Sequence, residues 1–346
     1  MNVQNKAYRI LWVDILNICA CFGVLVLHTS NQQVHHWNGI CNFEFWWGIT
    51  THTVVYWPVP VFLMLSGFNL LNKNYPPQLG WRDFYKRRLL KTFLPFLIWS
   101  LIYSIPQVIG GKISLGEFFE YFAQSKFNGY MWFFIPLFAF YISIPVLSAW
   151  LKTVKDRELL WYLFIIFGML YVIQPVYRYM EWGFFRYSIV PVGSSLLLYP
   201  LLGYAINKLP QFNQYRRCFY IVGLISAILH FTILSYSIVV LGFDSHRYQN
   251  TEEATSVLMA IAVFLWFMNC DWGKVVKKLK ISPSVISKVS SCSLGIYLLQ
   301  LLLFVLSGKL GLPLQNPYIG ALLTYCVALL VVMVMKKIPV LKYIVP

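Results

Sequence analysis

Apolar residues run along this chain in long blocks, not in the short alternations of a half-buried sheet or the one-sided stripes of a surface helix. A helix crosses a hydrocarbon core of about 30 Å with about 20 mostly apolar residues, and the pattern predicts ten such spans. They lie near Ile10–Thr29, Phe45–Leu71, Leu89–Ile109, Tyr130–Leu151, Leu159–Ile173, Tyr187–Ile206, Cys218–Leu241, Ala254–Cys270, Cys292–Ser307 and Ile319–Met335. The second is long and interrupted by Pro58 and Pro60, and the fifth is short. Trp and Tyr gather near the ends of the runs, where amphipathic rings sit at headgroup level. The expected architecture is an all-α, polytopic integral membrane bundle forming one domain over residues 1–346, with no appended soluble domain.

Composition agrees. Hydrophobic residues make up 59% of the chain and charged residues 12%, with a mean hydropathy of +0.63; a water-soluble chain of this length needs a more polar surface. The first apolar run carries Asp14 and Asn17 and no small-residue cleavage site follows it, so it is expected to remain in the membrane as a helix.

Charge then orients the bundle. Lys and Arg concentrate in cytoplasmic loops, and an N-terminus inside leaves only Lys112, Lys126, Arg178, Arg186, Arg247 and Lys309 on the opposite face. Both termini are therefore expected in the cytoplasm. The net charge of +16 reads as chemistry of the cytoplasmic face and its anionic lipid, which argues against nucleic acid as a partner. The seven cysteines form no CxxC pair, so neither a metal site nor a disulfide framework is expected.

Function must come from polar groups that a bilayer makes costly, because an ionisable side chain at the centre of a span costs about 2.5 kcal/mol or more. In the first span Asp14 lies near the cytoplasmic end and His28 near the outer end, roughly 21 Å apart along the axis. They cannot touch, so a carboxylate that orients His28 must come from another element. An interfacial imidazole bonded to a loop is the ordinary reading of His28, and a catalytic base is the other. His52, within the second span, is a candidate for the same cavity, whereas His35 and His36 read as solvated loop residues. The basic run from Trp81 to Lys91 is either an anchor on anionic lipid or a phosphate clamp, since Arg forks bind phosphate bidentately and Lys adds a point charge.

Five motifs in order resemble those of the membrane acyltransferase 3 family, and the likeness runs along the whole chain. They are Arg9-Ile-Leu-Trp-Val-Asp14 with Val-Leu-His28 closing the first helix, Val59-Pro-Val-Phe-Leu-Met-Leu-Ser-Gly67, Phe84-Tyr-Lys-Arg-Arg-Leu-Leu-Lys-Thr-Phe-Leu-Pro95, Met131-Trp-Phe-Phe134 with Tyr141 and Pro145, and Ser293-Leu-Gly-Ile-Tyr-Leu-Leu299. The sequence departs from the family's pattern in three places. Lys91 stands as the second member of its Arg-x-x-Arg pair, Asn17 stands where an arginine is frequent, and Gln300 stands where many relatives have histidine.

The resemblance implies transfer of an acyl group, usually acetyl, from cytoplasmic acyl-CoA to a hydroxyl or amine of a cell-envelope carbohydrate, in the cytoplasmic membrane of a bacterium. It implies His28 as the catalytic histidine and Arg88, with Arg87 and Lys91, as the site for the donor's phosphates. Asp14, Asn17, His52, Ser66, Trp132 and Tyr297 are the candidate substrate-binding residues, and no metal is implied. Trp57-Pro-Val-Pro60 is expected to line the passage, because irregular backbone at membrane depth must be satisfied by protein or water. Ser66 and Gly67 have helix packing as their plainer reading. A secondary transporter or polysaccharide exporter would share the span count and the cavity but would show no dependence on acyl-CoA.

Overall fold

The computed structural model describes residues 10–35, 39–71, 80–123, 131–180, 195–242 and 253–346. Among them there is no strand, and helices occupy all ten predicted segments. Helix α1 is Leu11–His35, α2 Phe43–Val54, α3 Pro58–Leu71, α4 Gly80–Arg88, α5 Leu94–Ile109 and α6 Leu115–Ala123. They are followed by α7 Phe134–Thr153, α8 Asp156–Phe167, α9 Gln174–Tyr179, α10 Leu198–Lys208, α11 Pro210–Gln214 and α12 Arg216–Val239. The last five are α13 Ala254–Asn269, α14 Trp272–Lys278, α15 Pro283–Ser290, α16 Ser293–Leu310 and α17 Gly320–Met335.

Seven helical stretches are long and apolar enough to cross a membrane, or eight if the bent pair α13 and α14, turned by 66°, is one span. This is fewer than the ten predicted, for local reasons. α17 is apolar but has only 16 residues, and for the span predicted at Tyr187–Ile206 only the part from residue 195 is described. The fifth span is longer than predicted, because helix continues through polar ends as α8, a π turn at Gly168–Ile173 and α9. The second is two helices, α2 and α3, parted at Val55–Trp57, where Pro58 begins α3 at a position that needs no intrahelical N–H.

Large apolar side chains face outward along these helices; Ile142 and Val146 on α7 are 70% and 71% exposed. In water such a belt would aggregate, and in lipid it is the favourable surface. The core lies around α1, which packs against α2, α3, α13, α15, α16 and α17. The closest crossing joins α3 to α10. A Cβ built on Gly67 would overlap the Pro200 carbonyl, and one on Gly203 would overlap the Met64 carbonyl, so only glycine lets the two backbones meet. Gly67 of the Ser-Gly segment thus fixes α3 in place. Ser66 returns its hydroxyl to the Phe62 carbonyl at 2.9 Å.

Candidate functional site

Two cavities open along one stripe of α1. The wider, about 580 Å³, lies toward the N-terminal end of α1 and is lined there by Ile10, Val13, Asp14 and Asn17. The narrower, about 240 Å³, takes Asn17 and Val24 from the same helix. Asn17, Phe62, Phe133 and Ser290 line both, so the two share walls. Spacings of three, four and seven place these α1 residues on one face. His28 stands on that face too, four residues beyond Val24 and eleven beyond Asn17.

The opposing walls are striped in the same way. From α3 come Val59, Phe62, Ser66 and Asn69, and from α16 come Ser293 and Tyr297. Gln300 lies one turn further along that face of α16. Its side chain is fully buried and meets His28 across the helix pair, with Nδ1 of His28 and Oε1 of Gln300 3.1 Å apart. The narrow cavity therefore ends about one turn, or about 6 Å, short of the His28–Gln300 pair. The other end of the Gln300 amide, Nε2, is buried with no hydrogen-bond partner among the described residues. A buried unmade hydrogen bond costs about 1–3 kcal/mol, so the amide is held at His28 against an opposing cost.

At the wide end Arg88 enters from the junction of α4 with the π turn Leu89–Phe93. Its guanidinium carbon lies 5.4 Å from the centre of the Phe84 ring and 5.2 Å from that of Tyr141, within cation–π range. Its Nε is buried without a hydrogen-bond partner. The two rings, packed edge to face with centroids 6.4 Å apart, thus hold a cation in the cavity that the buried Asp14 side chain and the Asn17, Ser66 and Asn69 side chains also line. Such a surface suits a phosphorylated, polar ligand.

The family model for the acyltransferase domain of acyltransferase 3 proteins matches residues 10–336. The chain belongs to the acyltransferase 3 family. It is accordingly a multi-pass membrane acyltransferase. No curated protein and no solved structure matches the chain.

The column brings together most of the candidates carried by the acyltransferase motifs. Asp14, Asn17, Ser66 and Arg88 line the wide cavity and Tyr297 the narrow one. Asn17 also locks the fold. Its Nδ2 donates to the Ser290 carbonyl at 2.9 Å, to Ser290 Oγ at 3.0 Å and to Ser293 Oγ at 3.1 Å, tying α1 to the α15–α16 junction. Arg87 and Lys91 are exposed and line neither cavity; Arg87 donates from Nε to the Asp83 carbonyl at 3.2 Å. His52 is buried on α2 and Trp132 is partly exposed in a 3₁₀ turn, and both lie outside the two linings. The neighbour of Trp132, Phe133, faces both cavities, with its ring 6.1 Å from that of Phe62 and 6.3 Å from that of Tyr297.

The partner found for Nδ1 of His28 is an amide from another helix, Gln300 of α16. The acids that the expected topology places on the side of His28 are Glu44, Glu117, Glu120, Glu181, Asp244, Glu252 and Glu253; of these, Glu181, Asp244 and Glu252 lie outside the described residues. Glu117 caps α6, where it accepts the Ser114 N–H at 2.7 Å. That backbone hydrogen bond, with a second from the Ser114 side chain, holds its carboxyl below the ordinary value. The sequence marked Gln300 in two ways, as the residue standing where many relatives of the resembled family have histidine and by its position one turn past Tyr297 on the same helical face.

Proposed function

We propose that the protein moves an acyl group, acetyl being the expected one, from cytoplasmic acyl-CoA to a hydroxyl or amine of a cell-envelope carbohydrate presented from the other side of a bacterial cytoplasmic membrane. The single observation that carries this reading is the common face of α1: Asp14, Asn17 and Val24 line the two adjoining cavities and His28 follows on the same stripe. The donor's phosphates lie against Arg88 at the wide end, and the thin pantetheine arm follows the column between α1, α3 and α16. The thioester then approaches the ring from below while the acceptor arrives from the far end of α1.

Reading Nδ1 of His28 as the protonated nitrogen, it donates to Gln300 Oε1 and leaves Nε2 with a lone pair directed at the acceptor. Nε2 takes the proton of the acceptor's hydroxyl, the oxygen attacks the thioester carbonyl, and a tetrahedral intermediate forms. The carbon–sulfur bond then breaks, the acyl group stays on the acceptor, and the coenzyme thiolate receives the proton from the imidazolium. A positioned base of this kind contributes about 10²–10⁴ in rate. Gln300 carries no charge, so its role is to fix tautomer and ring orientation.

The test is transfer of label from radioactive acetyl-CoA by the purified protein to a carbohydrate acceptor, parent beside His28→Ala. Loss of transfer in the variant, with its fold intact by thermal melting, is the expected result. Undiminished transfer removes His28 from the chemistry, and solute flux without any acyl-CoA requirement would make the protein a transporter.

A further inference from the structure

The His28–Gln300 contact joins two packed helices, α1 and α16, and an amide satisfied at only one end has little of its own to hold its rotamer. What holds the turn it grows from is a residue of α5. The Tyr103 hydroxyl donates to the Leu298 carbonyl at 2.5 Å and accepts the Leu302 N–H at 3.3 Å. Leu298 and Leu302 are the two ends of one helical hydrogen-bond step, and Gln300 is midway between them. One phenol therefore clasps α16 at the level of Gln300.

The phenol is itself anchored. Its ring lies 5.7 Å from that of Trp99, one turn earlier on α5, and Trp99 Nε1 donates to the Ile344 carbonyl at 2.9 Å. On the far side Gln107 Nε2 caps the Tyr103 carbonyl at 3.0 Å. An ordinary packing tyrosine needs one partner for its hydroxyl, whereas this one binds both the donor and the acceptor of the turn that carries the histidine's partner.

We infer that Tyr103 is a positioning residue for acyl transfer: by fixing the Leu298–Leu302 turn against α5 it sets where Gln300 meets His28, and so which nitrogen of the imidazole carries the proton and how the ring is turned. The inference rests on the reading of His28 as the base. Tyr103 touches neither donor nor acceptor in this account, and its effect is on turnover rather than on binding. A displacement of about 1 Å at a reacting group costs about a hundredfold, which bounds the effect.

Tyr103→Phe keeps the ring against Trp99 and removes only the clasp. In the full-length protein in lipid nanodiscs, kcat is expected to fall by roughly ten- to a hundredfold with the KM for acetyl-CoA unchanged. In a Gln300→Ala background the same substitution is expected to cost less than about twofold, because the group it positions is gone. An equal loss in both backgrounds, or a parental kcat in Tyr103→Phe, overturns the inference. A second readout needs no turnover. With ¹⁵N-labelled histidine, and the His28 ring signals assigned by their loss in His28→Ala, Tyr103→Phe is expected to shift or broaden the Nδ1-protonated pattern, and an unchanged pattern contradicts the proposal. If His28→Ala itself retains transfer, the base assignment fails; if it is inactive while Tyr103→Phe behaves as the parent, only the role of Tyr103 fails.

Discussion

The two ends of α1 solve opposite problems. Near Asp14 the helix borders an open space of about 580 Å³ with mixed polar and apolar walls and a cation held against two aromatic rings. Near His28 the helix closes on α16, and the imidazole meets a fully buried amide with its hydrogen-bonding geometry fixed. A ligand of changing shape and charge needs room and donors, whereas a proton-transfer group needs a single orientation. Putting both on one stripe, about four turns from Asp14 to His28, separates binding from chemistry while keeping them in line.

That division makes predictions of graded size. The largest is at the closed end: His28→Ala is expected to lower kcat by about 10²–10⁴ while labelled acetyl-CoA still binds, and loss of binding with retained turnover would reverse the assignment of the two ends. At the open end Arg88→Gln is expected to raise the KM for acetyl-CoA by roughly ten- to a hundredfold, the equivalent of about 1.5–3 kcal/mol for a hydrogen bond to a charged group, with kcat nearly parental. Substitutions where helices lock together act on fold rather than on either step. Gly67→Ala forces a methyl into the Pro200 carbonyl and is expected to destabilise by about 1–3 kcal/mol, measured as a lowered melting temperature. Asn17→Ala, which frees the α15–α16 junction, is expected to do so by a similar or smaller amount. The smallest effect belongs to Arg87→Gln, whose parent side chain is exposed and bonded to its own helix; donor KM is expected to change less than about threefold.

Much of this was legible from residue order. Apolar runs located the long helices, because lipid imposes a long uninterrupted pattern that few other environments do, whereas the short polar-ended helices α4, α6, α11, α14 and α15 lie outside them. Pro58 and Pro60 announced the break between α2 and α3, and the cost of Asp14 and His28 in a span marked them as candidates. Three features had no local signature. The π turn at Leu89–Phe93 inserts an extra residue into one turn, with the Leu94 N–H reaching the Leu89 carbonyl, so an i, i+3 reading of Arg88 and Lys91 as a pair loses its register. Arg88 ends in the cavity wall and Lys91 in the exposed surface. In the 3₁₀ turn Met131–Phe133 the choice between Trp132 and Phe133 as the inward ring depends on how that turn enters α7. The pairing of His28 with Gln300, 272 residues away, is set by how α1 and α16 cross. The same holds for Asn17, whose place in the acyltransferase pattern suggests a ligand contact and whose hydrogen bonds are spent on helix packing.

The central claim is that the cavities at the open end lead to the imidazole at the closed end. An experimental structure of the full-length protein in nanodiscs with a non-hydrolysable thioether analogue of acetyl-CoA tests it most directly. The account predicts the analogue's phosphates beside Arg88 and its acyl carbon within about 4 Å of Nε2 of His28, near-attack distance once an acceptor is bound. An acyl group that ends elsewhere, with the His28–Gln300 pair sealed from the column by packed side chains, would contradict it.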